Sequence, residues 1–354
     1  MADPPPALGW GVLGTGRIAR QFAAALRHAR RGRLAAVGSR SADPPHAPEF
    51  AGARLHHGYD ALLADPEVQA VYVATPHPTH ADLAIRAAAA GKHILCEKPL
   101  AMDAAEAAAV VEAARRHDVF LMEAFMYRVH PQTRRLVELL RSGAVGEPRL
   151  VQAGFGYWKP FDASARHFSP ALGGGGILDV GGYCASMARL VAGVARGLPF
   201  LDPEEVQGAA LFGASGVDEV AVATLRFPGG VLAQLSAGVS LAQENAVRIY
   251  GTEGQIEVVS PWFCSGKQGG RASLLVRDLR RLDGAGEEIV VETDDWLYAI
   301  EADAAAAHIA DREVAWPGMR WGDSLGNMRT LDAWRAAVGP AGRRAPRPAL
   351  AGAP

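Results

Sequence analysis

The chain has 354 residues, more than one hydrophobic core usually organises, so we expect two domains. Its formal net charge is -2 and its basic residues are spread out, which excludes a nucleic-acid binder and favours a small-molecule partner. The N-terminus lacks the basic and apolar parts of a secretory signal, and no apolar run approaches the ~18 residues of a membrane span. We therefore expect a cytoplasmic protein without membrane contact.

The first half alternates short β-branched runs with alanine-rich amphipathic stretches. This pattern is typical of βαβ units, so we predict a doubly wound parallel sheet at residues 1–127. The predicted strands are Gly9 to Leu13, Leu34 to Gly38, Ala70 to Ala74, His93 to Cys96 and Val119 to Glu123. The predicted helices are Ile18 to Arg30, Asp82 to Ala90 and Ala104 to His117.

The second half opens with helical stretches and continues as alternating runs separated by turns such as Pro228-Gly229-Gly230. It predicts an α+β domain with a large, open, mostly antiparallel sheet at residues 128–342. The exposed face of such a sheet needs a cover, from a second subunit or from a helix, and we expect a homodimer. Both chain ends, Ala2 to Ala7 and Arg343 to Pro354, are rich in proline and alanine and predict flexible tails.

A glycine-rich turn joins the first strand to the first helix. Its residues are Gly14, Thr15, Gly16, Arg17 and Ile18. Glycines between a strand and a helix let the backbone approach a pyrophosphate at the helix N-terminus, so the turn predicts a dinucleotide site rather than a plain βα turn.

The end of the second strand indicates which dinucleotide binds. NAD-dependent enzymes place an Asp or Glu there to hold the ribose hydroxyls, whereas this chain has Ser39 and Arg40. A hydroxyl and a guanidinium suit a 2′-phosphate, so NADP(H) is favoured, although an exposed loop arginine would look the same.

Further polar residues follow later strands. The segment after Ala74 is expected to line the nicotinamide ribose through Thr75, Pro76, His77 and His80. His80 alternatively caps the next helix. Lys98 follows the strand at His93 to Cys96, at the carboxyl edge where ligands of open α/β sheets bind. Asp179 and Tyr183 stand four residues apart in a predicted helix and hence on one face.

These segments together resemble the Gfo/Idh/MocA family, named after glucose-fructose oxidoreductase and inositol dehydrogenase. The resemblance covers nearly the whole chain and rests on Gly14 to Ala19, Ala74 to His80, Glu97-Lys98-Pro99 and Gly173 to Tyr183. Within the family, the chain is most similar to the branch of dihydrodiol dehydrogenases, NADP-dependent xylose dehydrogenases and aldose-aldose oxidoreductases. Many relatives have a histidine where this chain has Tyr183, which argues against inositol dehydrogenase activity.

The resemblance implies a Rossmann domain, a second domain whose sheet often forms a dimer interface, and roles for individual residues. It implies that Lys98 touches the reacting hydroxyl and the nicotinamide ribose, with Glu97 beside it at the cofactor. Tyr183 is the implied general acid/base, Asp179 orients substrate, and Arg166 lies near the nicotinamide. Because a nearby ammonium favours a phenolate, we expect Lys98 to lower the pKa of Tyr183. No metal is expected, since the histidines lack metal-ligand spacing.

We expect the walls of the substrate pocket to include the aromatic residues Trp158, Phe161, Trp262 and Phe263, because sugars offer apolar faces to aromatic rings, although such residues are often core. The expected reaction is hydride transfer between NADP(H) and an aldose, giving a lactone, or a cyclic diol, with the cofactor retained between two sugars as one possibility. The alternatives are trans-dihydrodiol dehydrogenation, reduction of a keto-sugar or a biliverdin-like substrate, and a non-enzymatic NADP(H)-binding regulatory role.

Overall fold

The computed structural model describes residues 7–40, 47–278 and 286–339. Apart from Ala7, the two predicted tails lie outside the described residues. The described chain forms two sheets, one of six strands and one of eight, each covered by helices.

The first sheet is wholly parallel, in the strand order β3-β2-β1-β4-β5-β6. Its strands are β1 (Leu8–Leu13), β2 (Gly32–Ser39), β3 (Arg54–His57), β4 (Ala70–Val73), β5 (His93–Glu97) and β6 (Leu121–Ala124). Its helices are α1 (Arg17–Leu26), α2 (Tyr59–Leu63), α3 (His80–Ala89), α4 (Ala104–Arg116) and α5 (Met126–Val129). The order reverses between β1 and β4, which opens a crevice at the carboxyl ends of the strands.

Strand β3 and helix α1 are among the elements that differ from the sequence prediction. Strand β3 was not predicted, because its residues Arg-Leu-His-His are mostly exposed at the sheet edge and show no apolar run. Helix α1 ends at Leu26 and not at Arg30, since the following segment turns toward β2.

The second sheet has the strand order β14-β13-β12-β11-β7-β10-β9-β8 and is antiparallel except for the β7–β10 pair. Its strands are β7 (Pro148–Gly156), β8 (Glu205–Phe212), β9 (Asp218–Arg226), β10 (Leu232–Gly238), β11 (Val247–Gly251), β12 (Gln255–Val259), β13 (Gly270–Arg277) and β14 (Gly286–Thr293). Its helices are α6 (Pro131–Arg141), α7 (Gly182–Val194), α8 (Leu297–Ala307) and α9 (Trp321–Val338). A parallel sheet plus a mostly antiparallel one confirms the predicted fold class.

Every residue of α7 is buried, because the helix packs against β7 and β10 on one side and α9 on the other. The stretch Pro170–Val194 is long and apolar enough to cross a membrane by length and composition, but the 18-residue part of it that meets this criterion is fully buried inside the protein. It is a core segment, and its burial fixes the position of the residues at its start.

The C-terminal helices return to the first domain: α8 packs on α1, and α9 packs on α4. A fully buried ion network links α9 to the core. Asp323 of α9 accepts hydrogen bonds from Arg128 of α5 (2.6 Å) and from Arg189 of α7. Because each buried charge has an opposite partner, the network joins α5, α7 and α9 without leaving an unpaired charge.

Candidate active site

A cleft of about 1230 Å³ opens where the carboxyl ends of the first sheet meet the second domain. Single ligand pockets usually measure ~300–1,000 Å³, so this cleft has room for a cofactor and a substrate together. Its walls include nearly every residue singled out from the sequence: Gly14, Thr15, Gly16, Arg17, Ile18, Ser39, Arg40, Thr75, Pro76, His77, His80, Glu97, Lys98, Trp158, Arg166, Asp179 and Tyr183.

The turn after β1 is shaped for close approach of a ligand. Gly14 has φ +109°, and a Cβ there would lie 2.8 Å from the carbonyl oxygen of Ala74. A Cβ at Gly16 would meet nothing within 4 Å, so this glycine faces open space in front of α1. The first-turn N–H groups of α1 have no side-chain cap, which leaves them available to an anion. These features fit the pyrophosphate of a dinucleotide.

Ser39 ends β2 and Arg40 follows it, and both line the same cleft as Lys98 after β5. Because β1 and β4 lie between these strands, Arg40 and Lys98 mark opposite ends of the cleft. Ser39 is buried and Arg40 is exposed. Tyr59, at the start of α2, joins them at this end and was not predicted.

The segment after β4 is held by its two histidines. His80 is fully buried, and its ring nitrogens lie 2.7 Å from the carbonyl oxygen of Pro99 and 2.9 Å from that of Thr75. His80 is among the residues that line the cleft, and its ring joins the loops after β4 and β5, so its contact with a cofactor stays a prediction. His77 is also buried, 3.2 Å from the carbonyl oxygen of Gly173. Burial lowers the pKa of both rings.

Lys98 and Asp179 form the polar centre of the cleft. The Lys98 ammonium donates to the backbone oxygen of Asp179 at 2.7 Å and lies 3.5 Å from its carboxylate. Arg166 donates to the same carboxylate at 3.0 Å, and the Tyr157 hydroxyl donates to its other oxygen. Burial would raise the pKa of Asp179, but the charges of Lys98 and Arg166 outweigh it and hold that pKa well below its usual range. Asp179 is therefore a fixed negative charge.

The turn that carries Asp179 is anchored from the second sheet. Residues Ile177–Gly181 form a π-helical turn leading into α7, and the backbone N–H of Ile177 donates to the Asp218 carboxylate at 2.7 Å. A Cβ on Gly175 would lie 2.2 Å from that carboxylate, so glycine is required at this position. The glycine run that marked this segment in the sequence thus gives close packing to the start of α7.

Tyr183 is 5% exposed and has a different relation to Lys98 from the one we expected. The Lys98 ammonium lies 5.2 Å from the centre of the Tyr183 ring, and the Tyr183 hydroxyl faces the Met126 sulfur at 3.5 Å. Burial and the nearby Glu97 carboxyl raise the pKa of Tyr183 well above its usual value. The expectation that Lys98 stabilises a Tyr183 phenolate is therefore wrong for this arrangement, because the cation contacts the ring face and burial favours the neutral phenol.

The two tryptophans predicted as pocket walls, Trp158 and Trp262, differ in position. Trp158 lines the cleft with 66% of its surface exposed. Trp262 is 1% exposed, stacks on Phe155 and donates its indole N–H to the carbonyl oxygen of Gly154 at 3.0 Å. The prediction of Trp262 as a substrate-binding wall is wrong, because its ring turns into the core and the next residue, Phe263, faces the cleft.

Sequence reasoning missed Tyr157 and Lys267, both of which line the cleft. Tyr157 had a usable signal, because it directly follows β7, whose carboxyl end points to the same edge as its parallel partner β10. Lys267 had no such signal in the sequence, since it stands in a loop whose position depends on the fold of the second domain.

The fold and cleft define a dinucleotide-dependent oxidoreductase. A family model described as an oxidoreductase family with an NAD-binding Rossmann fold matches residues 8–125, and one described as a GFO/IDH/MocA C-terminal domain matches residues 133–257. The chain belongs to the Gfo/Idh/MocA oxidoreductase family.

Relatives of known activity cover most of the chain. A trans-1,2-dihydrobenzene-1,2-diol dehydrogenase from Danio rerio is 38% identical over 73% of this chain and 76% of its own, and the Homo sapiens enzyme is 32% identical over 73% and 76%. A 3-ketoreductase from Actinomadura kijaniata, solved with NADP and TDP-benzene, is 29% identical with a TM-score of 0.81 over 94% and 98%. An aldose-aldose oxidoreductase from Caulobacter crescentus is 25% identical with a TM-score of 0.78 over 95% and 98%.

Proposed function

We propose that the protein is an NADP(H)-dependent oxidoreductase that interconverts a hydroxyl and a carbonyl group on a sugar or a cyclic diol. The observation that carries this proposal is that one cleft holds both the glycine turn at Gly14 to Arg17 and the group of Lys98, Asp179 and Tyr183. Bound NADP(H) supplies the hydride acceptor in one direction and the hydride donor in the other.

The chain's own residues have distinct roles in this reaction. Lys98 offers an ammonium to the substrate oxygen, where negative charge develops. Asp179 fixes that ammonium at 2.7 Å through its backbone oxygen and neutralises it in part through its carboxylate. Tyr183 keeps its proton at neutral pH, because burial raises its pKa, and donates it to the substrate oxygen during reduction. Trp158 contributes an exposed aromatic face for the substrate ring.

The experiment that tests this function is a substrate screen on purified protein. After release of any retained nucleotide, aldoses, trans-cyclohexadiene diols and keto-sugars are assayed in both directions by absorbance of the reduced nicotinamide. Turnover of a member of one class supports the proposal. Tight NADPH binding with no turnover in any class contradicts it and supports a regulatory role.

Reduction of a keto-sugar is the second candidate. The neutral Tyr183 phenol favours it, because a protonated acid is ready for reduction at neutral pH, whereas oxidation needs the rarer phenolate. The structural similarity to a 3-ketoreductase agrees with this direction.

The preference for NADP(H) follows from Arg40, and we expect Arg40→Asp to weaken NADPH binding by about 10- to 100-fold while NADH affinity changes little. The variant removes a cation and adds a like charge next to the 2′-phosphate. Fluorescence titration with both reduced nucleotides measures the effect, with Arg149→Asp on the exposed start of β7 as the matched charge control. Equal losses for NADPH and NADH would show that Arg40 does not select the phosphate.

We also propose that the protein is a cytoplasmic homodimer joined through the second sheet. The face opposite α7 and α9 carries the exposed apolar side chains Leu211, Val222 and Leu232 on three adjacent strands. In the strand register Val222 lies two residues along β9 from Val220, the partner of Leu211, whereas Leu232 pairs with Arg226. A second copy would cover this mixed patch around Val222. All three cysteines are buried and unpaired, which suits a reducing compartment.

Val222→Glu tests this interface, because it places a charge at the centre of the patch. We expect light scattering to give a dimer mass for the wild type and a monomer mass for the variant at micromolar concentration. Glu112→Lys, on the exposed face of α4, controls for a charge change elsewhere. A monomeric wild type contradicts the interface.

A further inference from the structure

A lysine of the second domain reaches across the cleft to the first. Lys267 stands in the loop between β12 and β13, where Gly266 and Gly269 take φ values of +89° and +84°. Its backbone oxygen accepts a hydrogen bond from Leu297 at the start of α8, at 3.1 Å. The glycine turns and this bond fix the backbone of Lys267, so its side chain is presented from a defined point.

The Lys267 ammonium ends beside α1. It donates to the Gln21 side-chain oxygen at 3.1 Å and lies 5.5 Å from the centre of the Phe263 ring. Gln21 is four residues after Arg17, so both lie on one face of the helix whose N-terminus faces the glycine turn. Lys267 thus crosses from the second domain to the side of α1 that lines the cleft.

The charged groups around Lys267 do not neutralise its ammonium. No carboxylate among residues 7–40, 47–278 and 286–339 forms an ion pair with it, and Gln21 is a neutral partner. Burial and the positive charge of Arg17 lower the pKa of Lys267. Two cations held near each other repel, and an anion placed between them converts that repulsion into attraction.

We propose that Lys267 and Arg17 bracket the pyrophosphate of the bound dinucleotide, with Lys267 closing the cleft from the second domain. The assignment rests on the proposed function, because it assumes a dinucleotide in this cleft. The pyrophosphate is the group in question because the glycine turn and the N-terminus of α1 form its cradle. The 2′-phosphate is assigned to Arg40 instead, because Arg40 stands at the end of β2, beyond the glycine turn after β1.

The test compares NADPH and NADH, which share the pyrophosphate and differ in the 2′-phosphate. Lys267→Met is expected to weaken both nucleotides by the same factor, about 10- to 100-fold, the usual size of a lost charge-assisted hydrogen bond. Lys267→Arg should recover most of the affinity. Gln268→Met changes the exposed neighbour in the same loop and should leave both dissociation constants within about twofold of wild type.

The readout is the dissociation constant from nucleotide fluorescence at two salt concentrations, with the melting temperature of each variant measured alongside. We expect a smaller salt dependence in Lys267→Met, because one phosphate contact is gone. An affinity within twofold of wild type overturns the assignment, as does a loss for NADPH alone, which would place Lys267 at the 2′-phosphate. A lower melting temperature with unchanged affinity also overturns it, in favour of a structural contact to Gln21.

Failure of the proposed function would give different binding results from failure of the Lys267 assignment alone. A wild-type protein that binds neither nucleotide contradicts both the function and the Lys267 assignment. A wild type that binds both, with Lys267→Met unchanged, contradicts the assignment alone. Should Lys267→Met not fold, Lys267→Gln removes the same charge with a polar side chain and decides the question by the same measurement.

Discussion

Lys98→Met is expected to lower turnover by about 10²–10⁴-fold while the protein stays folded and binds NADPH. The ammonium of Lys98 is held at 2.7 Å from the backbone oxygen of Asp179, which aims it into the cleft. Removing it deletes the cation that stabilises charge on the reacting oxygen, an effect that typically accounts for this range. Steady-state kinetics with the substrate found in the screen measure the loss.

The variant also tests whether the contact between Lys98 and Asp179 matters mainly for stability. Asp179 keeps Arg166 and Tyr157 as partners after Lys98 is gone, so its buried charge is not left alone. We therefore expect a modest fall in melting temperature and a large fall in kcat. Lys98→Arg keeps the charge but changes its geometry, and should retain more activity than Lys98→Met. A variant that unfolds, or one that turns over normally, contradicts the role of Lys98 at the reacting oxygen.

Much of this site was predictable because parallel strands bring distant segments to one edge. Gly14, Thr75 and Lys98 each stand close behind a strand, and the alternating pattern alone predicts that these strands form a parallel sheet. The relation of Asp179 to Lys98 needed the family resemblance, since the two stand in different domains and nothing local in the sequence joins them.

The errors have a shared physical cause: the sequence shows which residues occur, but not which way a side chain turns. Trp262 and Phe263 are neighbours of similar character, and packing against Phe155 decides that Phe263 faces the cleft. Lys98 and Tyr183 do meet, but the ammonium approaches the ring and not the hydroxyl.

Tyr183→Phe is expected to reduce turnover by about 10²–10⁴-fold with little change in stability or NADPH affinity. The ring stays packed against Phe125, Phe155 and Trp262, and the lost hydroxyl contacts only a sulfur at 3.5 Å. The variant deletes the group that exchanges the proton, whose contribution is of this size. Tyr127→Phe is the matched control, because that buried hydroxyl donates to Ser186 at 3.0 Å and to the Tyr183 backbone oxygen at 3.4 Å but does not line the cleft. Its turnover should stay within about threefold of wild type.

The pH dependence identifies the proton donor. The pKa of Tyr183 is raised well above its usual value by burial, so the phenol stays protonated through neutral pH. Wild-type reduction should therefore be nearly flat from pH 6 to 9, whereas oxidation, which needs the phenolate, should rise with pH throughout that range. His167 also lines the cleft, and burial lowers its pKa to about 4, so a profile governed by His167 would change near pH 4 instead. The Tyr183→Phe variant should lose the rise of the oxidation rate with pH. The turnover of the Tyr183→Phe, Lys98→Met double variant should fall by far less than the product of the two single losses if the two residues act on one reacting oxygen. Near-normal turnover in Tyr183→Phe, with the rise retained, would assign the proton transfer to another group in the cleft.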